Sequence, residues 1–141
     1  MSVYVDTSFL VSLYVTDLHS VEARHRVVTA PSVWFTPLHE AEWVHAISQH
    51  VFRGQLSALE AQRIHAKLNE HKRTGRWFPI PMPEKALDTC VHLAEMHGSK
   101  IGMRTLDSLH VACAVELKAE RFWTFDQRQA KLAKAQGLKT P

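Results

Sequence analysis

The sequence has little cysteine: Cys90 and Cys113 are the only two among 141 residues. Neither has the Cys/His spacing of a zinc site, and none of the ten histidines supplies that spacing either. Both cysteines stand in apolar helical patterns, where a thiol serves as a small buried hydrophobe. We therefore expect two free buried thiols rather than a disulfide framework or a zinc centre.

Long hydrophobic runs are also absent. No stretch approaches the roughly 18 apolar residues that span a bilayer, and Met1 leads directly into Val3-Tyr4-Val5 without a basic leader or cleavage site. We expect a cytoplasmic protein without a membrane partner. Hydrophobic content of 45% and charged content of 22% are typical of globular proteins. Because repeats and low-complexity tracts are missing too, we expect a single domain over residues 1–141.

Short apolar strands alternate with helical patterns along the chain. Strands are expected at residues 3–6, 33–35 and 122–125, with a short terminal strand at 138–140. The proline-rich segment 77–83 can pair only at a sheet edge, because proline donates no hydrogen bond. Helices are expected at 8–15, 17–29, 37–53, 57–75, 84–97, 104–117 and 127–136, with a loop at 98–102. This alternation predicts an α/β fold with a parallel sheet.

Carboxylates follow two of these strands. Asp6 comes directly after the first strand, Asp126 follows the strand that ends at Phe125, and Asp107 begins the helix before that strand. In open α/β sheets, ligands bind outside the carboxyl ends of the strands. We therefore expect a site there, although Asp107 also suits the positive end of its helix and Asp126 suits an N-cap.

The charge balance is mildly basic, with 17 Lys and Arg against 14 Asp and Glu. If several of those acids share one pocket, the rest of the surface carries a larger surplus of bases. Such a distribution suits a polyanionic substrate, which the basic surround draws in, and an acidic pocket that holds a metal. A basic surface without any partner is the open alternative.

The chain resembles the PIN-domain ribonucleases, and among them the VapC toxins of bacterial type II toxin–antitoxin pairs. The resemblance covers the whole chain. It rests on four blocks in the family order and spacing: Val5-Asp6-Thr7-Ser8; Thr36-Pro37-Leu38-His39 with Glu42 and Phe52-Arg53-Gly54; Arg104 to Ala112; and Phe122 to Gln129.

The resemblance implies a three-layer PIN-like fold with a central five-stranded parallel sheet and about seven helices. It implies an endoribonuclease dependent on Mg²⁺ or Mn²⁺, which forms homodimers and is neutralised by a cognate antitoxin. Residue by residue, it places the catalytic acids at Asp6, Glu42, Asp107 and Asp126.

Elementary electrostatics agrees with a metal in such a cluster. Two carboxylates about 4 Å apart repel by roughly 4 kcal/mol at an effective dielectric of 20. Magnesium relieves that repulsion with oxygen ligands and typically takes only one or two protein carboxylates. We assign direct metal contact first to Asp6 and Asp107, and direct or water-mediated contact to Glu42 and Asp126.

Neighbouring polar residues complete the expected site. Thr7, Ser8 and Thr105 can hold waters of the metal shell, or they can serve only as helix-start hydroxyls. Arg104 and Arg128 each lie within three residues of a pocket acid, so we expect both to contact RNA.

Glu42 has a competitor in Glu40. A helical wheel places Ala41, Val44 and Ile47 on an apolar side near Glu40, and Glu42 on a polar stripe that can face solvent or the acidic cleft. The family pattern selects Glu42, whereas the helix dipole accounts for Glu40.

Two other functions compete with the ribonuclease. A haloacid-dehalogenase phosphatase needs a second Asp two residues after the first, where this chain has Ser8. A PIN-like module that binds RNA or protein without cleaving is the second alternative, and the presence of an acid at all four positions argues against it.

Overall fold

A computed structural model of the protein describes residues 1–141 and contains one parallel sheet of four strands. The strands lie in the order β3-β2-β1-β4. Their bounds are β1 Val3–Val5, β2 Val33–Phe35, β3 Trp77–Pro79 and β4 Arg121–Trp123. The α/β class and the parallel sheet are confirmed, and the proline-containing strand β3 lies at a sheet edge as expected.

Seven helices surround the sheet when an interrupted one is counted once. They are α1 Thr7–Ser12, α2 Ser20–Val27, α3 Pro37–Phe52, α4 Ala58–Arg73, α5 from Ala86–Leu93 through a π-helical turn Ala94–Gly98 to Ser99–Ile101, α6 Thr105–Glu116 and α7 Gln127–Ala135. None of them combines the length and the apolar character that crossing a bilayer requires.

The predicted fifth strand is wrong. At the C-terminus only Lys139 pairs with the sheet, through a single parallel bridge to Arg121. A ladder is disfavoured here, because Gly137 turns the chain with a φ of 84° and Pro141 has no N–H to donate.

The predicted loop at residues 98–102 is also wrong. The helix that begins at Ala86 continues through Gly98, which has helical φ and ψ of −57° and −45°, and ends only after Ile101. Gly102 stops it with a left-handed φ of 71°, a conformation that glycine adopts without steric cost.

Two apolar clusters hold the helices against the sheet. One is centred on Val5, Phe9 and Trp43, and the other on Tyr4 and α6. Tyr4 and Val5 belong to different clusters because successive side chains of a strand point to opposite faces. Both cysteines are free and buried, as expected. Strand β1 is therefore covered on both sides, and its carboxyl end carries Asp6 into the interior.

Candidate active site

Asp6 is a nearly buried carboxylate, with 5% of its surface exposed, at the carboxyl end of β1. It caps α1 by accepting a 2.9 Å hydrogen bond from the Phe9 amide at Oδ1, and Ser8 donates to Oδ2 at 2.7 Å. Burial raises the pKa of Asp6 above its usual value, against opposing effects of His110 and these hydrogen bonds. A nearby cation would favour the charged form.

Thr124 joins Asp6 to the segment that carries Asp126. Strand β4 ends one residue earlier, so Thr124 leaves the ladder and its hydroxyl lies 3.2 Å from Asp6 Oδ2 and 2.7 Å from Gln129 Oε1. The hydroxyl oxygen of Thr124 also accepts a hydrogen bond from the Asp126 amide. The ends of β1 and β4 therefore meet around one buried hydroxyl.

Asp107 and Asp126 line one open cleft of about 430 Å³ together with Arg104 and Arg128. Arg104 Nε lies 3.3 Å from Asp107 Oδ2, and Arg128 donates to the Gly102 carbonyl. Asp126 also caps α7 through the Gln129 amide, as its alternative interpretation required. The predicted RNA-contact arginines thus share a surface with two of the predicted acids.

Glu42 lies half-buried at a second position, between Thr7 and His110. Thr7 donates to Glu42 Oε1 at 2.8 Å, and His110 Nε2 contacts the same oxygen. Burial by itself would raise the pKa of Glu42, but the hydrogen bonds from His110 and the Thr7 hydroxyl and the charge of Arg104 lower it overall. Glu42 is therefore held as a carboxylate.

His110 connects Glu42 to strand β1. Its side chain is almost fully buried, and Nδ1 lies 2.7 Å from the Tyr4 hydroxyl. Burial raises the pKa of Tyr4 well above its usual value, so the phenol keeps its proton. The phenol can then donate to Nδ1, which leaves His110 Nε2 to carry the proton that points at Glu42.

The buried face of α3, the helix that carries Glu42, differs from the face that the helical wheel predicts. Its buried positions are His39, Trp43 and Ile47, whereas Val44 is 43% exposed. The helical wheel left out His39, which is buried: its Nδ1 accepts from the Thr36 amide and its Nε2 donates to the Val5 carbonyl, and burial lowers its pKa to about 3.

The two glutamates face different surroundings. Glu40 is exposed and pairs with Lys72 at 2.6 Å, so it lies on the outer surface of α3. Glu42 faces α1 and α6 through its contacts with Thr7 and His110.

The predicted site residues do not all share one cavity. Thr7, Ser8 and Glu42 line a cleft of about 370 Å³ that also includes Asp17 and His50. Thr105 is exposed and borders a different cavity, beside Cys90. Asp6 lies between the two acid-bearing clefts, connected to one through Ser8 and to the other through Thr124.

The residues present fit a hard divalent ion by their chemistry. Every predicted ligand is a carboxylate oxygen, and burial of Asp6 without a cation is unfavourable for its charged form. No group of three or more Asp, Glu, His or Cys side chains converges as a ready-made metal site. The fit therefore rests on one or two direct carboxylate ligands, the number that magnesium commonly takes.

Sequence reasoning missed three residues that organise this region: His110, Thr124 and Gln129. Gln129 is fully buried and donates to the Asp107 carbonyl at 3.1 Å, so it connects α7 to α6. The sequence did contain a signal for His110. This histidine lies three residues after Asp107 in a largely apolar helix, so the two side chains share one face of that helix.

A family model for the PIN domain matches residues 3–135. The chain therefore belongs to the PIN domain family, and the resemblance drawn from its sequence blocks is confirmed. A comparison with curated proteins finds no match.

Several solved structures share the fold at low sequence identity. VapBC2 from Rickettsia felis, bound to a DNA fragment from its promoter, has a TM-score of 0.69 at 14% identity, covering 100% of this chain and 98% of that one. VapC20 from Mycobacterium tuberculosis, a toxin that cleaves the sarcin-ricin loop, has a TM-score of 0.69 at 15% identity, covering 92% of this chain and 94% of that one. FitAcB from Neisseria gonorrhoeae has a TM-score of 0.71 at 14% identity, covering 98% of this chain and 95% of that one.

We predict that Tyr4→Phe destabilises the protein by about 1–3 kcal/mol, because His110 Nδ1 would be buried without its donor. Urea unfolding measures the change. A double-mutant cycle with His110→Leu provides the control, since residues in contact give non-additive effects. Strict additivity of the two changes would show that the pair does not interact.

Proposed function

We propose that the protein is a metal-dependent endoribonuclease that acts as the toxin of a toxin–antitoxin pair, built as one PIN-like domain over residues 1–141. The observation that carries the proposal is the cleft in which Asp107 and Asp126 stand beside Arg104 and Arg128. A phosphate backbone suits such a surface, because the arginines bind phosphate while the acids serve a divalent ion.

In this proposal Asp6 and Asp107 hold Mg²⁺ or Mn²⁺ directly, and Glu42 and Asp126 do so directly or through water. The chemistry that a divalent ion supplies in such a site is polarisation of the scissile phosphate and activation of a water for in-line attack. The buried position of Asp6 supports its place, since burial raises its pKa and a bound cation offsets that cost.

The remaining side chains bind and orient. Arg104 is exposed and reaches Asp107 only at 3.3 Å, so it is free to exchange that carboxylate for a substrate phosphate. Thr7 and His110 hold Glu42 ionised, which makes its carboxylate an acceptor for a proton of the attacking water. Gln129 fixes the backbone of Asp107, while Ser8 and Thr105 remain proposed contacts for waters of the metal shell.

The proposed partners are an RNA substrate, a cognate antitoxin protein and a second copy of this chain, all in the cytoplasm. The VapBC2 and FitAcB structures support an antitoxin partner through the shared fold. VapC20 supports RNA as the substrate class, since it is a toxin that cleaves the sarcin-ricin loop.

A second candidate function is a PIN-like module that binds RNA or protein without cleaving. Two observations favour it: no three ligating side chains converge, and Asp107 is paired with Arg104. Metal binding and the effect of acid substitutions on RNA cleavage distinguish this module from the nuclease.

We predict that a divalent ion stabilises the fold. A ligand present at about 100 times its dissociation constant adds about 2.7 kcal/mol to the free energy of unfolding. Thermal melting compares the protein in chelator with the protein in millimolar Mg²⁺ or Mn²⁺, and Asp107→Asn should reduce the rise in melting temperature. An unchanged midpoint without heat of binding in calorimetry would rule out the metal site.

We predict that Asp6→Asn and Asp107→Asn each abolish cleavage of RNA while the protein stays folded, because each keeps the size of the side chain and removes a charged ligand. Growth arrest on expression should disappear as well. Asp88→Asn, at an exposed acid on α5, is the matched control and should remain active. Wild-type cleavage by either variant, with contaminating nuclease excluded, contradicts the assignment.

We predict that Glu42→Gln lowers the rate of RNA cleavage by one to several powers of ten, each worth about 1.4 kcal/mol of barrier. Glu40→Gln should cost little activity, because the half-exposed Glu40 pairs with Lys72 and contacts none of the predicted acids. Both rates are measured under saturating metal, with circular dichroism as the check of folding. An inactive Glu40 variant beside an active Glu42 variant would reverse the assignment.

A further inference from the structure

A cavity of about 500 Å³ lies at the opposite end of the sheet from the acids. It borders Trp77, the first residue of β3, which pairs with Val33 at the start of β2. The acids Asp6 and Asp126, by contrast, follow the carboxyl ends of β1 and β4. The cavity has the volume of a small-molecule site, which is about 300–1,000 Å³.

The charge that lines this cavity has a single sign. Arg24, Arg63, Lys67 and Arg76 contribute to its wall, and no Asp or Glu does. None of these four takes part in an ion pair, although other cations of the protein do. Like charges gathered around one concave surface repel one another and raise the local concentration of anions.

One of the four cations is held in place by the backbone. Arg76 Nη1 donates to the Val27 carbonyl at 3.0 Å and to the Ala30 carbonyl at 3.4 Å. A guanidinium has five N–H donors, so the others remain for a ligand. Its position is thus set before any anion arrives, which reduces the entropy lost on binding.

A chain of hydrogen bonds orients a histidine in the same wall. Trp77 Nε1 donates to the Tyr14 hydroxyl, which lies 2.6 Å from His71 Nδ1. Burial raises the pKa of Tyr14 to about 12, so the phenol keeps its proton and can donate it to Nδ1. His71 also lines the cavity, and its Nε2, which has no hydrogen-bond partner in the protein, is left to carry the ring proton.

The rest of the wall is apolar. Leu13, Val27 and Ile64 border the same space as the cations. An inorganic anion would leave this surface in water, whereas an anion that carries an organic group would cover it.

We propose that this cavity binds a phosphate ester, with the phosphate held by Arg63, Lys67 and Arg76 and the organic group against Leu13 and Ile64. A phosphate offers several acceptor oxygens to guanidinium and ammonium donors. The ester is either a free nucleotide or a phosphodiester of an RNA backbone, because both present the same chemistry. The site is independent of the proposed nuclease, since none of the four acids contributes to it.

The test compares two double variants that remove the same charge. The first combines Arg63→Gln and Lys67→Gln, both exposed in the cavity wall. The control combines Arg73→Gln, exposed on the same helix, with Lys139→Gln, exposed near the C-terminus. Neither control residue lines the cavity, and circular dichroism and melting establish that all three proteins are folded.

Isothermal titration calorimetry is run at low salt in a phosphate-free buffer that contains chelator, so that a metal site and RNA cleavage play no part. The probes are inorganic phosphate, AMP, a four-nucleotide RNA with a 5′-hydroxyl, and a short Glu-rich peptide. We expect AMP to bind more tightly than phosphate because of the apolar wall. We expect the cavity variant to bind at least tenfold more weakly than wild type, about 1.4 kcal/mol, and the control variant to match wild type.

The results identify the source of the ester. Cavity-dependent binding of AMP assigns a free nucleotide, and cavity-dependent binding of the RNA alone assigns the RNA backbone. The proposal is overturned if no phosphate probe binds wild type, if both double variants weaken binding equally, or if only the Glu-rich peptide depends on the cavity. Because chelator is present, a failure of the nuclease assays does not affect this result.

Discussion

The carboxylate of Asp6 is the constraint on which the site depends. Folding places it at the end of a strand covered on both faces, with 5% of its surface exposed, and burial of an ionised carboxylate is costly unless hydrogen bonds or a cation offset it. The structure supplies the amide of Phe9 and the hydroxyls of Ser8 and Thr124. Through these hydrogen bonds, the start of α1 and the end of β4 are held close to the Asp6 carboxylate.

The same constraint explains why the surrounding polar groups are so connected. Glu42 and His110 lie beside Thr7, the first residue of the helix that Asp6 caps, and His110 is tied to Tyr4 of the preceding strand. A buried polar group without a partner costs about 1–3 kcal/mol, so each member needs the next. The network orders α1, α3 and α6 around the carboxyl end of β1.

The two ends of the sheet have opposite character. The carboxyl ends of β1 and β4 gather Asp6 and Asp126, whereas the cavity beside the start of β3 gathers arginine and lysine without a carboxylate. Net charge alone, at +3, conceals this separation. A polyanion can therefore meet positive charge at two places, the arginines beside the acids and the cavity at the far end of the sheet. Salt at 0.1 M screens charges beyond roughly 10 Å, so the acids at one end have little effect on the cations at the other.

The sequence by itself determined the local features and the family: alternating strands and helices, the N-cap at Asp126, and Asp6 after its strand. Only the tertiary structure decided which side chains meet. His110 contacts Glu42 across 68 positions, and α3 buries Trp43 rather than Val44. Capping and strand patterns depend on neighbours along the chain, whereas these contacts depend on how whole elements pack, which periodicity in one helix does not encode.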